Sequence, residues 1–249
     1  MKKTLLALAF MFAGTATANP IYLSGSSEPW GSPSNPTNMN TAFGSGNWSR
    51  ATFGDTGLFS NNANFIFIDG GNGQGSNLFN WLVSERTNLE NFILNGGSVF
   101  LNAASWGESM NIFSSSILYG NFGGGNSGTC YLSDNTFGTA GSYFTGNGCT
   151  HGSLSLGETG WNQLMHNGGA AILAERSFGQ GWLTLGNLTT DNFWGAGTTG
   201  LNTNSFRADV LNRAQSRTHG TAPVSAPAPL TLLALSLVAF GLVRRKQAN

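Results

Sequence analysis

The one stretch that could carry covalent chemistry is Ala103-Ala104-Ser105-Trp106-Gly107, a small-x-Ser-x-Gly pattern of the kind that forms a nucleophile elbow. It follows an apolar run and precedes a segment expected to be helical, where a strained turn exposes a serine hydroxyl. A hydrolase also needs an acid and a base. Asp134 or Glu158 with His151 or His166 would keep the order Ser, acid, His, and the set Ser105, Asp134, His151 is the catalytic candidate. The pattern is short for a chain with 36 glycines, and close packing at Ala104-Ser105 is the plainer reading. A binding role therefore ranks first, and a secreted serine hydrolase using Ser105 second.

Other residues point to structure or to ligand contact. The chain has 2 cysteines, Cys130 and Cys149, and an exported location favours their pairing across a loop rich in Gly, Ser and Asn. Metal ligation by a cysteine with His151 ranks below that, because no second pair has zinc-finger spacing, and no metal or other cofactor is expected. Asp69 and Asp191 lie just beyond expected strands, where ligands of open α/β sheets bind, although both also suit turns. With Ser105 and Trp106 they are the ligand-pocket candidates. A calcium site among Asp69, Asn72 and Asn77 would have a single carboxylate, a thin set for a hard cation. Gly71-Asn72-Gly73-Gln74-Gly75 fits neither dinucleotide-binding nor P-loop spacing, and helix capping explains it more simply. Trp30, Trp48, Trp106, Trp161 and Trp194 stand near loops rich in Gly, Asn, Ser and Thr, a setting suited to sugars.

The elements that must position these groups centre on Asn64 to Ser105. Phe65-Ile66-Phe67-Ile68-Asp69 is apolar without alternation, as a strand covered on both faces requires. After the glycine-rich turn, Ser76 is expected to cap a helix from Leu78 to about Asn95, with Leu78, Phe79, Leu82, Leu89, Phe92 and Ile93 at helical spacing. Gly96-Gly97 supplies a left-handed stop, and Ser98 to Asn102 re-enters the sheet, giving a β-α-β unit.

Of the 249 residues only 9% are charged and the formal net charge is zero, which leaves no electrostatic footprint for nucleic acid. The ends read as address labels. Lys2 and Lys3, an apolar run from Leu5 to Ala13 and Ala16-Thr17-Ala18 make residues 1–18 a signal peptide. A linker at 218–225 leads into Ala226-Pro227-Ala228-Pro229, an apolar run from Leu230 to Val243 and the cluster Arg244-Arg245-Lys246, an arrangement that holds a tail in the cytoplasmic membrane. This tail, residues 226–249, resembles the PEP-CTERM sorting signal of Gram-negative bacteria, with Ala228 where that family has Glu. Pro227, Pro229, Arg244, Arg245 and Lys246 are the residues that carry it. The resemblance implies an exosortase-type processing enzyme as partner, tethering in the inner membrane during sorting, and then the cell surface or extracellular matrix.

Between the labels, residues 19–217 form one domain. Ile21-Tyr22-Leu23 is expected as the first strand, with a long loop after it holding a short helix near Met39 to Phe43, and Trp48 to Phe53 as an edge strand. Met110 to Leu118 and Trp161 to Met165 are expected as helices. Ala170 to Arg176 and Gly181 to Gly186 form a hairpin, and Phe206 to Ala214 is a last helix with Arg207, Asp209 and Arg213 on its wet side. The sum is a three-layer α/β fold, flavodoxin- or amidotransferase-like, with a mostly parallel sheet and a late antiparallel hairpin. From Phe65 to Asn102, and again from Ala170 to Leu188, the chain resembles the class I glutamine amidotransferase-like superfamily. Its active members would need a cysteine where Ala103-Ala104-Ser105 stands and a later His-x-Glu, which neither His151-Gly152-Ser153 nor His166-Asn167-Gly168 provides. The resemblance thus implies the fold without glutaminase activity, and an association with extracellular polysaccharide or other matrix components is the expected role.

Overall fold

The structure is a computed structural model that describes residues 19–60, 63–71, 74–103, 109–119, 129–145, 149–190, 195–196 and 203–217. Residues 1–18, Ser105, Trp106, Asp191 and the tail carrying Pro227, Pro229, Arg244, Arg245 and Lys246 lie outside them.

The apolar runs pair as their composition demands. Strands β1 (Ile21–Ser24), β2 (Ser49–Thr52), β3 (Phe65–Asp69) and β4 (Ser98–Asn102) are mutually parallel in the order β2-β1-β3-β4. Beyond β4 come six strands that follow later in the chain, the last of them a short end strand. The other five are β7 (Thr129–Leu132), β8 (Tyr143–Thr145), β10 (Asn162–His166), β11 (Ala171–Phe178) and β12 (Gly181–Gly186). Strand β12 lies parallel to β4, and β11, β10, β7 and β8 then add antiparallel, ending at β13 (Gly195–Ala196). The fold is α/β with a central parallel sheet, as expected. The β11–β12 hairpin is the joint through which an antiparallel wing extends it.

All five residues of β3 and of β4 are buried, because each face of the sheet is covered. Ile66, Ile68, Val99 and Leu101 meet Leu78, Trp81, Leu82, Leu89 and Ile93 of α2 (Gly75–Leu94). On the opposite face Tyr22, Phe65, Phe67 and Phe100 meet Met39 of α1 (Ser34–Phe43) and Phe206, Val210 and Leu211 of α3 (Thr203–Ser216). Two aliphatic and aromatic cores, one on each face, make the three layers. Helix α2 stops where Gly96 adopts φ 105°, a conformation that costs a side-chain-bearing residue heavily.

Four local expectations fail. The helix α2 starts at Gly75 with Gln74 in the cap position and no side-chain cap bond, so Ser76 does not cap it. Met110 to Leu118 is a hairpin, β5 (Met110–Ile112) and β6 (Ser115–Tyr119), joined by β9 (Gly152–Ser155) in a small second sheet. Burial of Met110 and Ile112 on either side of exposed Asn111 is a period of two, which wins over helix in so short a segment. Trp161 to Met165 is not helical, since residues 162–166 fill the gap between β7 and β11 as β10. Arg207 is not on a wet face at all; it is fully buried.

Candidate functional site

The strand order makes β1 the turning point of the sheet. The chain leaves β1 for α1 on one face and leaves β3 for α2 on the other, so their carboxyl ends diverge and a crevice opens there, the usual ligand position in open α/β sheets. Two structures occupy this end.

The first is a polar knot on the α1 and α3 side. Alternation along the strands puts Tyr22, Phe67 and Phe100 in register on this face, stacked at 5.2 and 5.1 Å, with Asp69 and Asn102 one step further on. The Asp69 carboxylate, with no exposed surface, accepts from Asn35 Nδ2 at 2.9 Å, Asn102 Nδ2 at 3.2 Å and the Gly71 N–H at 3.0 Å. Arg207 stands 3.9 Å away, lies over Phe67 and Phe100, and donates to the carbonyls of Leu188 and Thr189. Asn102 also exchanges two hydrogen bonds with the backbone of Leu188, each of 2.9 Å. Burial pushes the Asp69 carboxyl above its ordinary value, against the opposing pull of Arg207 and these donors. Burial, then the charge of Asp69, pushes the Tyr22 phenol up likewise. Tyr22 donates to Glu28 at 2.9 Å, and Glu28 pairs with Arg50 at 2.5 Å. Both Asp69 oxygens accept hydrogen bonds, so the knot ties the strands, α1 and α3 together.

The second is an open cleft of about 480 Å³ on the α2 side. Gly25 and Ser26 after β1 and Thr52, Phe53 and Gly54 around the end of β2 form one wall. Asn77, Asn80, Trp81 and Ser84 form the other, at the spacing that brings residues of one helix to a common face. Trp81 is buried as the floor and lies 5.9 Å from the Phe53 ring. Ser84 donates its hydroxyl hydrogen to the Trp81 carbonyl at 2.9 Å, so its oxygen offers only lone pairs to the cleft. No lining residue is ionisable.

The expected site residues are scattered by comparison. The His151 ring lies 4.7 Å from that of Trp30, tilted by 42° to it, Trp30 being held at φ 61°; the His151 backbone N–H donates to Asn187 at 3.1 Å, and burial pushes its imidazole pKa down. Asp134 instead accepts from the Thr136 N–H at 2.9 Å and from Asn162 at 3.4 Å, beside β10, and none of these bonds reaches His151. Glu158 is held by Ser114 and Arg176, each at 2.5 Å, and His166 stacks on Tyr131 at 5.2 Å. Cys130 and Cys149 form a disulfide spanning 19 residues, as expected. Of the calcium candidates, Asn72 lies outside the described residues and Asn77 is bonded to Gln74; among the described residues no cluster of His, Cys, Asp and Glu could hold a metal. Among them, too, no helix is long and apolar enough to cross a membrane. The cleft residues Phe53, Asn80, Trp81 and Ser84 do not stand out in the sequence; the signal available is the Asn77, Asn80, Ser84 strip beside the apolar stripe of α2.

No protein-family model matches the sequence. No curated protein matches it either. Solved structures do resemble the fold. A GMP synthase-type protein from Thermoplasma acidophilum superposes with a TM-score of 0.53 at 10% identity, over 80% of this chain and 96% of that one. A GH42 β-galactosidase from G. stearothermophilus gives 0.50 at 8% identity, over 80% of this chain. The chain spans only 30% of that enzyme's length. At such identities the likeness establishes the fold, and the first agrees with the amidotransferase-like architecture.

Proposed function

We propose that the chain is an exported, non-enzymatic binding module that holds uncharged carbohydrate in the cleft between β1, β2 and α2. One observation carries this reading. The cleft is lined by two aromatic rings, the hydroxyls of Ser26, Thr52 and Ser84 and the amides of Asn77 and Asn80, with no ionisable group. A pyranose has the same two-sided character: its C–H face rests on a ring, and its hydroxyl rim exchanges hydrogen bonds with amides and hydroxyls. The volume falls within the range of about 300–1,000 Å³ common to small-molecule sites.

The rest of the reading comes from the chain ends. A signal-like segment at 1–18 and a PEP-CTERM-like tail at 226–249 fit export, membrane tethering and processing by an exosortase-type enzyme before release to the surface or matrix. The Cys130–Cys149 bond suits that oxidising route.

The test is calorimetric titration of the protein with cellohexaose, laminarihexaose and maltohexaose, three neutral glucose oligomers. Gly54 offers a clean blocking variant, because a Cβ there meets nothing within 4 Å and its φ is not positive. Gly54→Trp is expected to fill the cleft, leave the unfolding midpoint in place and weaken binding at least about tenfold. Equal binding by both proteins removes the cleft as the site.

A further inference from the structure

Gln74 holds the cap position of α2, where a short oxygen-bearing side chain is preferred, yet its side chain makes no cap bond. It reaches across the sheet end instead. Its Oε1 lies so close to the Gly25 backbone that a Cβ at Gly25 would sit 1.7 Å from it. Its Nε2 donates to Ser27 Oγ at 2.5 Å, and its Oε1 accepts from Asn77 Nδ2 at 3.0 Å. With Gln74 itself only 6% exposed, this is a buried strut joining the loop after β1 to the first turn of α2. The two segments it joins are the two walls of the cleft, at Gly25-Ser26 and at Asn77.

We infer that Gln74 is a positioning residue for the cleft: it sets the spacing of the walls and orients the Asn77 amide so that Oδ1 accepts from a ligand hydroxyl. This rests on the carbohydrate reading above. The orientation follows from the inventory of the amide. With Asn77 Nδ2 donating to Gln74 Oε1, the carbonyl oxygen Oδ1 is the end of the amide left for a ligand. A forgone local cap spent on a bridge between cleft walls is the kind of broken local rule that marks a functional position. The ligand class narrows accordingly: a neutral polyol with a free hydroxyl opposite Asn77, and not an ether or ester at that place.

Two measurements on the full chain with its disulfide intact test this. In ligand-free protein, the side-chain amide of Asn77 is followed by nuclear magnetic resonance in wild type, Gln74→Glu and Gln74→Leu. Glu keeps an acceptor for Asn77 and for the Ser27 hydroxyl; Leu keeps bulk alone. The Asn77 amide is expected to hold a distinct, slowly exchanging position in wild type and Gln74→Glu and to collapse toward the solvent-averaged position in Gln74→Leu. In titrations with the tightest of the three hexaoses, Gln74→Glu is expected to stay within about twofold of wild type and Gln74→Leu to lose about tenfold, the scale of one hydrogen bond. The O-methylated form of that hexaose should lose about tenfold on wild type and nothing further on Gln74→Leu. Unaltered Asn77 resonances in Gln74→Leu, or equal affinity of that variant, overturn the inference alone. Wild type that binds none of the hexaoses overturns the carbohydrate reading and this inference with it.

Discussion

Replacing Arg207 by methionine should destabilise the protein by about 3–5 kcal/mol at neutral pH, the cost of stranding one member of a buried ion pair. The carboxylate left behind is Asp69, fully buried and 3.9 Å from the guanidinium in the native protein. Asn35, Asn102 and the Gly71 N–H would remain as its donors, so hydrogen bonding survives while the compensating charge goes. Against a typical total of about 5–15 kcal/mol, such a loss is large enough to read from any unfolding curve. Its pH dependence is the sharper test. Burial already raises the folded-state value of Asp69 above the ordinary 3.8. A carboxyl raised in this way favours folding fully below its unfolded value, and that contribution is lost as pH climbs through the folded value. Removing Arg207 moves the folded value further up, each unit being worth about 1.36 kcal/mol. The gap between wild type and Arg207→Met should therefore be small near pH 4, widen as pH rises and level off once the buried group is forced to ionise. Urea denaturation followed by tryptophan fluorescence at a series of pH values measures it. The double variant Asp69→Asn/Arg207→Met should regain part of the loss, giving a positive coupling in a double-mutant cycle. A gap below about 1 kcal/mol, or one flat with pH, would mean that Arg207 behaves as a surface residue and that the knot is misdescribed.

Three further outcomes are expected. Reduction of Cys130–Cys149, or its replacement by two serines, should lower stability by about 3 kcal/mol in the chain-entropy account for a loop of this length, read as a shift in urea midpoint with and without reductant. Burial is the strongest single influence on Glu175 and pushes its pKa upward, but the hydrogen bonds and the charges of Arg213 and Arg217 together outweigh it, so the carboxyl lies below its ordinary 4.5. That stabilisation is present above 4.5 and fades as pH falls through the lower folded value, so Glu175→Gln should make the acid-side slope of a stability profile shallower. Gly96→Ala should cost about 1–2 kcal/mol, seen as a lower thermal midpoint, because φ 105° is strained for alanine even though the nearest side chain is 3.8 Å away.

Much of the central architecture is legible in the sequence because it is local. The unalternating runs of β3 and β4, the stripe of α2 and the glycine stop encode a covered strand, a helix and its end without reference to distant residues. The failures have a common cause. Arg207 looks solvent-facing because arginine is rarely buried alone, and its partner Asp69 comes from a strand far away in the chain. Asp69 stands out as a residue at a strand end, but its role as a shared acceptor depends on Asn35, Asn102 and Arg207 converging from three elements. The cleft is invisible for the same reason, since its walls come from residues 25–26, 52–54 and 77–84 and no single segment carries a motif. Trp161 to Met165 reads as a short helix, yet the strand edges of β7 and β11 on either side draw residues 162–166 into the sheet.

Among the described residues the ten-stranded sheet ends on two brief strands. Strand β2 offers four residues and β13 only two. Arg50, in the middle of β2, is anchored to Glu28 and to the end of β1, placing a fixed charge on that margin. With formal net charge zero, long-range electrostatics gives the molecules little mutual repulsion. Short end strands, one of them carrying Arg50, instead offer a neighbour little ladder to extend. Lengthening β2 or neutralising Arg50 should therefore raise the tendency of the molecules to pair edge to edge.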